Sequence, residues 1–141
     1  MQDGFNLQRF VDAHRRSYDT ALAEIRKGKK TSHWMWWIFP QLAGLGSSHT
    51  SKQYAIRGLQ EAAAFLHHPI LGPNLLRISN ALLQLETNHP TAVFATPDDM
   101  KLQSSITLFA LVPETNPVFQ QVLDKFFKGA IDQQTLKMIE V

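Results

Sequence analysis

Residues 6–28 read NLQRFVDAHRRSYDTALAEIRKG. Within them Leu7, Phe10, Val11, His14, Tyr18, Ala21, Leu22 and Ile25 recur at steps of three and four, which places them on one face of a 3.6-residue period and predicts an amphipathic helix. Asn6 is the expected N-cap, since its side-chain oxygen can accept from the exposed amides of a first turn. Gly28 follows the basic last turn Arg26-Lys27 and suits the left-handed position that closes a helix.

Outward from this helix the same grammar repeats. Tyr54 to Leu66 is expected to be helical, with Thr50 or Ser51 capping it and Ile56, Leu59, Ala63 and Leu66 buried. Leu71, Leu75, Ile78, Leu82 and Leu85 mark another helix, closed by Asn88-His89-Pro90. Residues 91–95 form a short connector that could be extended but has no evident strand partner. Thr96-Pro97-Asp98-Asp99 is a helix start, with Thr96 as cap, Pro97 in the first turn and two carboxylates at the positive end of the dipole. Leu102, Ser105, Ile106 and Phe109 follow on one side. Asn116-Pro117 opens a helix with an apolar face from Val118 to Phe127, ended by Gly129, and Asp132 opens a last one. No hairpin signal, repeat or long linker interrupts the series. The expectation is one compact all-α domain spanning residues 1–141, with about seven helices and no significant sheet.

Composition narrows the function. The chain has 141 residues, 44% of them apolar and 18% charged, which excludes a disordered or low-complexity chain. Lys and Arg total 14 and Asp and Glu 12, so the net charge is +2 and there is no strong nucleic-acid footprint. Residues 1–70 carry nine basic and five acidic side chains, whereas residues 71–141 carry five and seven. The basic excess concentrates at Arg26, Lys27, Lys29 and Lys30. Absence of cysteine removes disulfides, thiolate nucleophiles and cysteine-ligated metals. No apolar run approaches a membrane span, and Met1-Gln2-Asp3-Gly4 lacks the basic start of a secretion signal, so a soluble cytoplasmic chain is expected.

The most unusual stretch is Ser32-His33-Trp34-Met35-Trp36-Trp37-Ile38-Phe39-Pro40-Gln41, which holds all three tryptophans. A short helical turn ended by Pro40 is predicted there, followed by a loop containing Gly44 and Gly46. This stretch, with Gly44-Leu45-Gly46-Ser47, resembles a bacterial domain-of-unknown-function family, number 1810, some of whose members are mislabelled calpastatin. Weaker blocks extend the resemblance over nearly the whole chain: Tyr18 to Gly28, Tyr54-Ala55-Ile56, His68-Pro69, Asp99 to Phe109 and Phe126-Phe127. Trp37 stands where the family often has Phe. The resemblance implies an all-helical fold and carries no activity with it.

Three tryptophans on one helical turn cannot all point inward. They form either a core plug or, in part, the wall of a pocket. The pocket reading gathers His33, Trp34, Trp36, Gln41, Tyr54, Lys101 and Ser105 around a small, planar, anionic, nucleotide-like ligand. An enzyme using the same pocket would rely on His33 or Asp99 as base, although no nucleophile is evident. An exposed tryptophan patch would instead suit a protein partner. Histidine spacings fit no helical zinc site, and neither a Walker loop nor a dinucleotide fingerprint is present, so no metal and no cofactor is expected.

Overall fold

The computed structural model describes residues 4–140, and the first three residues, read above for a targeting start, lie outside them. Among the described residues there are nine helices and no strand. They are α1 (Gln8–Arg26), α2 (Met35–Ile38), α3 (His49–Gln53), α4 (Leu59–His67), α5 (Leu71–Leu83), α6 (Pro90–Phe94), α7 (Asp98–Ala110), α8 (Val118–Phe127) and α9 (Gln133–Glu140). The count exceeds the expected seven by two short pieces, α3 and α6, where a longer helix and an extended connector were expected.

Helix α5 lies against α1, α4 and α8, and α7 packs on α4, α6, α8 and α9. The stripe Leu71, Leu75, Ile78 and Leu82 of α5 is buried as its period requires. Helix α7 is buried on more than one side, since Ser104, Thr107 and Leu108 are enclosed as well as Leu102, Ser105, Ile106 and Phe109. One continuous apolar core runs from Phe10 on α1 to Phe126 on α8.

The closing signals act as read. Gly28 has φ +81° and its amide bonds to the Ile25 carbonyl at 2.8 Å. Asn116 Oδ1 accepts from the Val118 amide at 2.9 Å. At the end of α8, Lys128 (φ +55°) and Gly129 (φ +80°) are both left-handed, and the Gly129 amide reaches the Leu123 carbonyl at 2.9 Å. Asp132 Oδ2 accepts from the Thr135 amide and from Ser104 Oγ, so the cap of α9 also fastens it to α7.

Elsewhere long-range bonds override local signals. Asn6 does not cap α1; it has φ +55°, and its carbonyl and that of Phe5 are drawn to Arg9 Nη1 at 2.7 and 2.6 Å. Residues 54–66 are not one helix. Ser48 caps the short α3, and the chain then runs extended through 55–57. Ile56 sits in an isolated parallel bridge with Leu42, with Ala43 N to Ile56 O at 2.7 Å and Ile56 N to Gln41 O at 2.9 Å. Arg9 holds this segment through the carbonyls of Gln53 and Ala55 and through Glu61, each at 2.9 Å. The buried face of α4 is consequently Glu61, Ala62 and Phe65, out of phase with the expected Leu59, Ala63 and Leu66. The connector 91–95 is not extended but helical as α6, started by Pro90. Thr96 does not cap α7, because its hydroxyl donates to Asp99 Oδ2 at 3.1 Å. Helix α5 ends at Leu83, before Asn88; its last carbonyls and that of Leu85 are taken by Lys125 Nζ and by the turn amides.

The α4–α5 corner leaves no room for a side chain at Gly72, where a Cβ would stand 2.0 Å from the Leu66 carbonyl oxygen. Gly72→Ala is therefore expected to lower the unfolding free energy by about 3 kcal/mol or more. Gly58→Ala, with nothing within 4 Å and φ 171°, should change it little. Denaturant titration of the two variants checks both outcomes.

Candidate functional site

The tryptophan segment is organised by a carboxylate the sequence reading passed over. Glu24, in the last turns of α1, is buried. Its Oε1 accepts from the Thr31 amide (2.7 Å), the Ser32 amide (3.0 Å) and Trp34 Nε1 (2.9 Å). Its Oε2 accepts from Ser32 Oγ at 2.6 Å. Burial pushes this carboxyl up, but the four donors pull harder and hold its pKa at about 2. A buried charge must be compensated, and here the compensation fixes the path of residues 27–34. Lys30 adds a second tie, with its Nζ 2.9 Å from Asp98 Oδ2 and its amide on the Val93 carbonyl at 2.8 Å.

The three indoles consequently have different fates. Trp34 is fully buried between Phe39 and Phe94 and is the core plug. Trp37 donates from Nε1 to Ser17 Oγ at 2.6 Å and sets its ring edge on Tyr54. The Trp37 carbonyl lies 2.9 Å from His14 Nε2, while His14 Nδ1 lies 3.0 Å from Asn74 Nδ2, so one neutral imidazole joins α1, α2 and α5. Burial lowers the pKa of His14 to about 4. Trp36 is half-buried, and its indole N–H has no hydrogen-bond partner among the described residues.

Trp36 forms part of the wall of a cavity of about 110 Å³. Met35, Phe39 and Tyr54 supply further apolar wall, and Gln41, Ser51, Lys52 and Lys101 supply polar groups. The Leu42–Ile56 bridge sets the Gln41 and Tyr54 segments side by side, and α7 brings Lys101 over the Trp36 ring, 5.5 Å from its centroid. Two glycines close the loop. Gly44 has φ +100°, and a Cβ on Gly46 would stand 2.5 Å from Ser51 Cβ.

Of the residues expected at a pocket, Trp36, Gln41, Tyr54 and Lys101 line this cavity and three do not. His33 is exposed, with its ring 6.3 Å from that of Trp36. Trp34 is in the core. Ser105 is buried one turn beyond Lys101, its hydroxyl without a hydrogen-bond partner among the described residues. Asp99, the second candidate base, lies outside the cavity and accepts instead from Thr91 Oγ1 (2.6 Å) and Thr96 Oγ1. Ser51, Lys52 and the organising Glu24 were missed, and no spacing marks them.

The cavity's chemistry is one-sided. No Asp or Glu is among its lining residues. The Trp36 indole, the Gln41 amide and the Tyr54 hydroxyl have no protein hydrogen-bond partner among the described residues. Lys101 Nζ stands 3.8 Å from Asp98 Oδ1, the limit of an ion pair, while the other Asp98 oxygen holds Lys30 at 2.9 Å. Asp98 is thus shared between two ammonium groups. Among the described residues no group of three or more His, Asp or Glu is arranged to hold a metal, and no helix is long and apolar enough to cross a membrane.

A family model described as Protein of unknown function (DUF1810) matches residues 4–139. The chain belongs to that family. Its fold is similar to the crystal structure of the conserved hypothetical protein Rv1873 from Mycobacterium tuberculosis, with a TM-score of 0.96, 42% sequence identity and 99% of each chain covered. No curated protein matches.

Two buried groups make stability pH-dependent. His14 is neutral in the fold and ordinarily titrates near 6.5, so its contribution is complete above that pH and is lost as pH falls toward 4. Glu24 is charged in the fold below its ordinary range, so its contribution is lost between about pH 4.5 and pH 2. Unfolding free energy should fall by about 3 kcal/mol between pH 6.5 and 4 in the natural chain, and this slope should flatten in His14→Phe. Glu24→Gln should cost about 3 kcal/mol at pH 7 and red-shift tryptophan emission as Trp34 loses its seat. Chemical unfolding across pH, read by fluorescence, measures all three.

Proposed function

We propose that this chain is a binding domain for a small planar anion, one ring of which enters the cavity beside Trp36. The observation that carries the reading is the convergence of uncommitted donors from three separated stretches, residues 36–41, Tyr54 and Lys101, on a concavity that no carboxylate lines. Stacking surface comes from Trp36 and Tyr54, hydrogen bonding from the Gln41 amide and charge from Lys101.

Size refines the ligand. A cavity of ~150 Å³ holds one benzene. At about 110 Å³ this one is smaller, so a single small ring enters in part with its substituents at the mouth, and a whole nucleotide does not fit. A ring bearing a carboxylate fits the donors better than a neutral one. The hydrolase or transferase alternative loses its two expected bases, because His33 and Asp99 stand outside the cavity. The protein-partner alternative keeps one observation in its favour: Met100, beside Lys101, is 63% exposed.

Thermal shift and calorimetric titration with benzoate and nicotinate, against benzamide and nicotinamide as neutral controls, test the proposal. The carboxylates should stabilise the fold, by about 2.7 kcal/mol at a hundred times the dissociation constant, and the amides should not. Lys101→Ala should weaken carboxylate binding roughly 10- to 100-fold with little change in stability. Gln41→Ala should also weaken it. Absence of any carboxylate effect, or an equal effect in Lys101→Ala, would contradict the proposal and favour a protein partner at Trp36 and Met100.

A further inference from the structure

A second concavity, of about 420 Å³, lies between α1 and α5 and shares no residue with the cavity at Trp36. Arg26, the last residue of α1, and Arg77 of α5 line it, with Asn80 and Gln84 one and two turns further along α5. Its floor is Ala81 and Leu85. Among the described residues no Asp or Glu lines it.

Both arginines are exposed, and neither has an ion pair or hydrogen bond to the protein among the described residues. Some cations of this chain are committed, Arg9 and Arg57 to Glu61 and Lys30 to Asp98, but what sets Arg26 and Arg77 apart is that they face one groove from two helices. The two arginines approach from different helices, yet both act on the buried Tyr18 hydroxyl and oppose the burial that raises its pKa to about 12. Asp19 is close enough to act on that hydroxyl too, but it pairs with neither arginine.

A simple role at helix ends does not account for the pair. The carbonyls of Ala23, Glu24 and Ile25 at the end of α1 already accept from the amides of Lys27, Lys29 and Gly28. Those of Leu83 and Leu85 at the end of α5 accept from Lys125 Nζ. Two unpaired guanidinium groups facing one groove repel each other, and a shared dianion relieves the repulsion. The forked donors of arginine match the oxygens of phosphate two at a time.

We infer that this groove binds a small phosphorylated polyol or sugar, its phosphate held between Arg26 and Arg77. The groove is larger than a bare phosphate requires and falls within the range of ordinary small-molecule sites, roughly 300–1,000 Å³. Its floor offers two aliphatic side chains and no aromatic ring, so the organic part is polar and does not stack. Asn80 Nδ2 donates to the Leu76 carbonyl at 2.9 Å, which leaves its Oδ1 as an acceptor. The Gln84 amide is uncommitted and offers both a donor and an acceptor. Hydroxyl groups suit that pair.

Glucose 6-phosphate, inorganic phosphate and glucose are the probes, titrated at pH 7.5 and constant ionic strength in chloride and read by amide chemical shifts. At that pH the phosphate carries close to two charges. Glucose 6-phosphate should saturate, with shifts centred on residues 26, 77, 80 and 84, and should bind about tenfold tighter than inorganic phosphate. Glucose should not bind. Arg26→Gln and Arg77→Gln should each weaken binding at least tenfold without lowering the melting temperature, because neither side chain holds the fold together. Failure of both phosphates to saturate, or equal affinity in the two variants and the natural chain, would overturn the site. Equal affinity for glucose 6-phosphate and inorganic phosphate would overturn the role given to Asn80 and Gln84.

Discussion

Four donors converge on the carboxylate of Glu24, and the positions of the tryptophans follow from that. Residues 27–34 have little secondary structure to hold them. A buried charge inside the turn supplies the missing constraint, because any path that left the carboxylate uncompensated would be costly. Seating Trp34 against Glu24 turns the next helical turn so that Trp37 meets Ser17 and Trp36 is left at the cavity. On the opposite wall Glu61 does the same for residues 53–57, through Arg9 and the Arg57 amide. Two irregular segments, each organised around a fully or nearly buried glutamate, thus set up one small concavity: 27–34 positions the turn that carries Trp36, and 53–57 supplies Tyr54 and Ala55 to the wall.

How much of this was legible depended on the range of the interaction. Periodicity identified α1, α5 and α8, and the Gly28, Asn116 and Asp132 signals act where they stand, because each is satisfied within a few residues. Asn6 and Thr96 have equally good local chemistry but found stronger partners, Arg9 for the carbonyl of one and Asp99 for the hydroxyl of the other. The segment 55–57 is extended for a reason 46 residues away in sequence, where Arg9 takes the Ala55 carbonyl. Of the site, Trp36, Gln41, Tyr54 and Lys101 were accessible to reasoning about residue type. Glu24 and Arg9 were not, since on a helix rich in charge nothing local separates a solvated side chain from a buried one.

The surface offers two recesses of opposite construction. One is small, aromatic and lined by two lysines, Lys52 and Lys101. The other is wider, has Ala81 and Leu85 as its apolar wall and no aromatic ring, and is faced by two guanidinium groups. Among the described residues neither recess is lined by Asp or Glu; under the proposals above the first would take a ring and the second a phosphate.

The division among the three indoles is measured most directly by hydrogen exchange of the tryptophan Nε1 protons in the free protein. Trp34 and Trp37, bonded to Glu24 and Ser17, should exchange slowly, and Trp36 should exchange fast. Three equally protected indoles would place Trp36 in the core, and three equally fast ones would mean that Glu24 does not hold the segment. Either result would contradict the structure of the cavity described above.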